Sequence, residues 1–159
     1  MEEIKQITTI KVYHYDELST EERRLTEAAK EATKRSYSPY SHFSVGAAVL
    51  LEDGTIVTGT NQENAAYPSG LCAERTALFY ANSQYPDLTV KALAIAAGAT
   101  SSEEVISPCG ACRQVMAETE NRFQCFLKVL LCGADKVYVA ESASDLLPLS
   151  FHLPLLRGD

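Results

Sequence analysis

Two short motifs, Cys72-Ala73-Glu74 and Pro108-Cys109-Gly110-Ala111-Cys112, constrain this chain more than any other feature. Together they offer three soft thiolate ligands and one carboxylate that is not needed to bind metal. A structural zinc site usually closes all four tetrahedral positions with side chains, whereas a catalytic site leaves one for water. Glu74 follows the first ligand by two residues, which is close enough to reach that water. The sequence therefore predicts a hydrolytic zinc site held by the three cysteines.

The same motifs also predict two helix starts. We expect helices over residues 72–82 and 109–118, each with a cysteine at its N-terminus. Unpaired backbone N–H groups and the helix dipole favour negative charge there, so the thiolate form is stabilised before metal arrives. Cys109 and Cys112 share one helix face because they are three residues apart. Arg75 is expected to donate to a ligand sulfur and to offset part of the thiolate charge.

The rest of the chain predicts an α/β fold. A capping box at Ser19 and Glu22 begins a helix over residues 20–36. Strands are expected over 43–51, 55–61, 90–97, 123–131 and 136–140, with a polar loop over 100–107 and one helical turn over 144–148. This order predicts a single domain, 1–159, built as a three-layer α/β/α sandwich around a mixed sheet of about five strands. Residues 1–18 would form an N-terminal extension, in which alternation along 10–15 indicates an extra edge strand.

Composition excludes several classes of function. The net charge is −7, with 14 basic against 21 acidic residues, whereas nucleic-acid binding needs clustered cations. No apolar run reaches the roughly 20 residues of a membrane span, and the acidic start is not a secretory signal. We therefore expect a cytoplasmic protein with a small neutral substrate and neither a nucleic-acid nor a membrane partner. Five cysteines favour metal or buried thiols over disulfides, and Cys125 and Cys132 are predicted to be buried apolar residues.

Other interpretations remain open for each motif. A lone CxxC also suits a redox dithiol, although that role leaves Cys72 without a function. A structural zinc needs a fourth ligand. His42 and His152 are of a residue type that binds zinc, but neither has ligand-like spacing. Glu74 alone could be a solvated helix residue.

Five segments together resemble the small, homotetrameric, zinc-dependent cytidine deaminases. They are residues 43–48 (FSVGAA), 59–65 (GTNQENA), 72–77 (CAERTA), 107–114 (SPCGACRQ) and 146–151 (LLPLSF). The pair of cysteine motifs also matches the general signature of zinc nucleobase deaminases. The likeness extends from about residue 20 to 152. The first 15 residues and the segments 116–119 and 125–132 depart from the pattern.

The resemblance implies hydrolytic deamination of cytidine and 2′-deoxycytidine in pyrimidine salvage, with Glu74 as general acid and base. It implies these further roles: Asn61 and Glu63 on the 3′-hydroxyl of the sugar, Phe43 stacked on the pyrimidine, the Ala73 backbone on the base, Phe151 closing the pocket from another subunit, and Tyr67 at a subunit interface. Phe43 and Phe151 could instead be plain core residues.

Three competing functions follow from the same residues. Deaminases of modified nucleosides of the blasticidin type share the cysteine motifs but lack the Asn-x-Glu pair, here Asn61-Gln62-Glu63. Base editors of tRNA or DNA tend to use histidine as the first ligand and need a basic surface. A non-catalytic zinc module would hold the metal with no turnover. A free nucleoside is favoured over a nucleotide because Glu63 would repel a phosphate.

Overall fold

Three α-helices and six strands form the regular structure of residues 1–98 and 105–153, the part of the chain that the computed structural model describes. They are β1 (Lys11–His14), α1 (Thr20–Ala32), β2 (Val45–Leu51), β3 (Ile56–Thr60), α2 (Ala73–Gln84), β4 (Val90–Ala97), α3 (Gly110–Phe123), β5 (Lys128–Cys132) and β6 (Lys136–Ala140). Short 3-10 turns cover Tyr15–Glu17, Thr33–Arg35, Tyr67–Ser69 and Ala143–Leu146. No helix within these ranges is long and apolar enough to cross a membrane.

The strands form one mixed sheet in the order β1-β6-β5-β4-β2-β3. β4 and β5 run parallel, and the other neighbours are antiparallel. The sheet has six strands and not five, because β1 pairs with the edge of β6, with Lys11 opposite Val139. The alternation at residues 10–15 thus does form an edge strand.

Helices cover both faces of the sheet, which confirms the predicted three-layer sandwich. α1 packs on one face through Leu25 and Ala29, and α2 and α3 pack on the other through residues such as Leu78 and Met116. Gly59 allows α2 to lie close to β3, since a Cβ there would be 2.4 Å from the backbone nitrogen of Ala77. This close approach fixes the first turn of α2 against the sheet.

Several predicted boundaries were wrong by a few residues. α1 ends at Ala32, and residues 33–35 form a 3-10 turn. α3 continues to Phe123, five residues beyond the prediction, so the next strand begins at Lys128 and not at Phe123. Gln124 ends α3 in the left-handed conformation (φ 49°). The turn leaves Cys125 partly exposed, contrary to the prediction, whereas Cys132 is buried. Of the predicted polar loop over 100–107, residues 100–104 lie outside the described part.

Candidate active site

The structure brings the three motif cysteines together. The sulfur of Cys109 lies 3.9 Å from that of Cys72 and 3.5 Å from that of Cys112. All three sulfurs lie within 4.8 Å of one another. Ligand sulfurs about 2.3 Å from a tetrahedral zinc are about 3.8 Å apart, so the cluster fits this metal.

Helix starts set this geometry. Cys72 and Cys109 are the N-cap residues of α2 and α3, and Cys112 lies in the first turn of α3. Arg113 holds the second ligand loop, since its Nε donates to the carbonyl of Pro108 (2.8 Å) and its terminal nitrogen to that of Leu146 (2.8 Å). The cysteine pair is thereby tied to the segment that follows β6.

The sulfur cluster concentrates negative charge beside one cation. A terminal nitrogen of Arg75 lies 3.6 Å from the sulfur of Cys72. A hydrogen bond from Cys112, together with Arg75, lowers the pKa of Cys72 from 9.0 to about 5. The neighbouring Cys72 sulfur and burial raise the pKa of Cys112. One thiolate is thus present near neutral pH before metal binds.

Glu74 points into the protein and is not a solvated helix residue. It is 5% exposed and sits in the first turn of α2. Burial, reinforced by the charge of Cys72, raises the pKa of this carboxyl above its usual 4.5. A raised pKa brings a carboxyl closer to the range in which it can both accept and donate a proton.

A cavity of about 500 Å³ opens beside Cys72 and Arg75. Asn61 and Glu63 line it, although both lie just beyond the end of β3 and not within the strand. The carboxylate of Glu63 accepts hydrogen bonds from the backbone nitrogens of Tyr40 (2.9 Å) and Ser41 (3.2 Å) and from the Ser41 hydroxyl. Tyr40 and Ser41 also line the cavity, although no motif in the sequence singled them out.

The remaining predicted residues lie around this site in different settings. Tyr67 lines the cavity, is 77% exposed and meets Tyr40 edge to face, with ring centroids 6.3 Å apart. Phe43 and Phe151 are exposed and Ala73 is buried, and the carbonyl of Phe151 accepts a hydrogen bond from Gln114 (2.7 Å). Within one chain, neither phenylalanine is among the residues that line the cavity.

The cluster argues against the simpler interpretations of the cysteines. Cys72 joins the CxxC pair, which a redox dithiol does not require. In the described ranges, neither His42 nor His152 belongs to the group that could hold a metal, so a fourth protein ligand does not close the site.

Comparisons with known proteins agree with this geometry. Residues 19–128 match the family model described as the cytidine and deoxycytidylate deaminase zinc-binding region. A cytidine deaminase of Halalkalibacterium halodurans is 44% identical over 123 residues, which are 77% of this chain and 81% of that protein. One of Sporosarcina psychrophila is 53% identical over 95 residues, or 60% and 67% of the two chains.

Solved structures show the same likeness. The crystal structure of a cytidine deaminase from Burkholderia pseudomallei superposes with a TM-score of 0.71 at 44% identity, covering 80% of this chain and 97% of that one. One from Mycobacterium tuberculosis gives a TM-score of 0.68 at 34% identity, covering 85% and 100%.

Proposed function

This chain belongs to the cytidine and deoxycytidylate deaminase family, and from that membership we propose its reaction. It deaminates cytidine and 2′-deoxycytidine hydrolytically to uridine and 2′-deoxyuridine, with zinc as cofactor and ammonia as the second product. The observation that carries the proposal is the three-sulfur cluster beside the buried carboxyl of Glu74. Deaminases of modified nucleosides and non-catalytic zinc modules are not favoured by the relatives.

The chain's own residues divide the chemistry between them. Cys72, Cys109 and Cys112 would hold zinc, which when bound supplies a Lewis acid that makes water nucleophilic near neutral pH. Glu74 takes a proton from the attacking water and delivers protons to N3 of the pyrimidine and to the departing amine. Its burial keeps this carboxyl out of bulk water, where its proton would exchange freely. Arg75 offsets charge at the ligand sulfur of Cys72.

The cavity would hold the nucleoside. Asn61 and Glu63 bind the 3′-hydroxyl, and the backbone of Ala73 binds the base. Phe43 does not line the cavity of the single chain, but its carbonyl accepts a hydrogen bond from the lining residue Asn61, and its ring stacks on the pyrimidine once the nucleoside is bound. A site built to pair with a hydroxyl strongly disfavours analogues that lack it. Glu63 carries a negative charge beside the sugar, so a free nucleoside fits better than its phosphate. We place this activity in pyrimidine salvage in the cytoplasm, without a nucleic-acid or membrane partner.

Replacement of Glu74 tests the reaction. Zinc-loaded wild-type protein should convert cytidine and 2′-deoxycytidine, followed by ultraviolet absorbance, and should be far slower with cytidine monophosphate. Glu74→Gln should keep zinc and lose activity by about 10²- to 10⁴-fold, the usual contribution of a general acid and base. Glu27→Gln, the same change at an exposed position on α1, is the matched control. Zinc-loaded, folded wild type with no turnover of either nucleoside would refute the proposed function.

We also propose a single domain over residues 1–159 that works as a homotetramer. Exposed aromatic side chains support this: Tyr67 beside the cavity, Phe79 and Tyr80 on α2, and Phe151 in the C-terminal segment. Exposed apolar patches on a protein surface often mark subunit contacts. Phe151 of one subunit would close the cavity of another, and Tyr67 would lie at the interface. Sedimentation velocity should show about four times the monomer mass of 17.4 kDa, and a stable, active monomer would contradict the proposal.

A further inference from the structure

The amide of Asn61 is almost fully engaged by the protein itself. Its Oδ1 accepts a hydrogen bond from the backbone nitrogen of Val45 (2.8 Å) and another from the Ser36 hydroxyl (2.5 Å). Its Nδ2 donates to the carbonyl of Phe43 (2.8 Å). An amide oxygen has two lone pairs and an amide nitrogen two hydrogens. Asn61 can therefore offer a ligand in the cavity one donor and no acceptor.

Glu63 supplies the complementary group. An ionised carboxylate only accepts hydrogen bonds and has about four lone-pair sites. Tyr40 and Ser41 provide three donors to it, so about one site remains for a ligand. A donor and an acceptor on the same cavity wall fit a hydroxyl group, which needs both.

Ser36 is held in place to make this contact. It follows the 3-10 turn Thr33–Arg35, and the next residue is tied to the loop after β3 by two backbone hydrogen bonds: Tyr37 N–H to Asn61 carbonyl (3.1 Å) and Glu63 N–H to Tyr37 carbonyl (2.9 Å). A hydroxyl has one hydrogen, and the amide oxygen can only accept, so Ser36 directs its hydrogen to Asn61. The Ser38 oxygen lies 3.2 Å from that of Ser36, one step further from the amide.

We propose that Ser36 is a positioning residue for sugar recognition, which fills the second acceptor position of Asn61 and so fixes its amide as a donor to the 3′-hydroxyl. This inference rests on the nucleoside site proposed above. Without the Ser36 hydroxyl, one lone pair of Asn61 Oδ1 loses its donor and is free to accept from water. The amide of Asn61 is then held less firmly in one orientation, and the 3′-hydroxyl contributes less to the free energy of cytidine binding.

The test compares two ligands in zinc-loaded protein with the Glu74→Gln background, so that cytidine binds without being consumed. Calorimetry gives the Kd of cytidine, and displacement of cytidine gives that of 3′-deoxycytidine. Adding Ser36→Ala should raise the Kd of cytidine by about three- to tenfold, the effect of one lost hydrogen bond. The Kd of 3′-deoxycytidine should stay unchanged. Ser36→Thr, which keeps the hydroxyl, should restore cytidine binding. Ser38→Ala removes a neighbouring hydroxyl that does not contact Asn61 and should bind like the parent.

Each outcome separates this inference from the proposed reaction. Equal weakening of both nucleosides would mean that Ser36 only supports the local fold, and unchanged cytidine binding would show no role; either result overturns the inference. The expected pattern of Kd values, with no ammonia released by the protein with Glu74 intact, would refute the reaction and leave the role of Ser36 standing. Absence of cytidine binding would overturn both.

Discussion

Arg75 contributes, after the hydrogen bond from Cys112, to keeping Cys72 ionised. Its guanidinium faces Cys72, whose pKa is lowered to about 5, so this thiolate persists down to about that pH. Protons compete with zinc for a thiolate, and zinc affinity therefore falls as pH drops toward the pKa of the ligand. Loss of the positive charge at this position would raise the pKa of Cys72, so protons would displace zinc at a higher pH.

Arg75→Ala should accordingly release zinc at a higher pH than wild type. An opposite charge at this range shifts a pKa by one unit or more, so we expect the midpoint of zinc loss to rise by about one pH unit. Dialysis at a series of pH values followed by metal analysis gives the midpoint. Arg24→Ala, at an exposed position of α1, removes the same charge away from the site. An unchanged midpoint and unchanged turnover in Arg75→Ala would show that Arg75 has no electrostatic role.

Residue spacing predicted the metal cluster but not the contacts that arrange the sugar site. The cysteines and Glu74 lie at the starts of two helices, where their spacing along the chain fixes their relative positions, so the motifs alone predict the cluster. Ser36 meets Asn61 only because the chain after α1 runs beside the loop after β3, 25 residues later. No local pattern of the sequence reports such a contact.

Among the elements, α3 shows why the predicted boundaries failed near its end. Glu120, 8% exposed, accepts hydrogen bonds from the backbone nitrogens of Leu127 (2.7 Å), Ala143 (2.9 Å) and Ser144 (3.2 Å) and from the hydroxyls of Ser142 and Ser144. These bonds hold the end of α3 against β5 and the turn after β6. The sequence predicts a strand from residue 123 because the run that starts there is apolar. The contacts of Glu120 that extend α3 to Phe123 involve residues distant in sequence, and a short stretch of sequence does not reveal them.

Glu120→Gln should therefore destabilise the fold. The new amide places N–H hydrogens against backbone and hydroxyl donors, which leaves buried groups unpaired at a cost of about 2 to 3 kcal/mol. Urea denaturation of the zinc-loaded protein measures the loss. Glu118→Gln makes the same change at an exposed position on the same helix, where we expect less than about 0.5 kcal/mol. Equal stability of the two variants would show that the Glu120 contacts contribute nothing.

For the molecule as a whole, β1 is the outer strand on one side of the sheet: it covers the edge of β6 and presents a short edge of four residues in its place. It pairs with β6 over four residues, and Thr8 reaches the carbonyl of Asp145 (2.9 Å) while Lys11 pairs with Glu141 (2.8 Å). An uncovered strand edge presents free backbone groups and promotes pairing with other chains. The cavity lies beside β3, at the opposite edge of the sheet from β1. The N-terminal segment is linked to the cysteine pair through one turn, because Thr8 contacts Asp145 and the next carbonyl, that of Leu146, accepts from Arg113. We therefore expect the N-terminal strand to act mainly on stability and solubility.

Deletion of residues 1–14 should lower stability by about 2 kcal/mol or more, from the lost strand pairing, and should increase light scattering on warming. Activity per folded molecule should stay near that of wild type. Tyr15, whose hydroxyl donates to the carbonyl of Gly133 (2.8 Å), is retained, so the start of α1 keeps its anchor. Deletion of residues 1–7 removes only exposed residues ahead of Thr8 and is the matched control. If the two truncated proteins have the same melting temperature and light scattering, the β1–β6 pairing does not protect the edge of β6. If only the longer deletion loses turnover, the N-terminal strand also supports the active site.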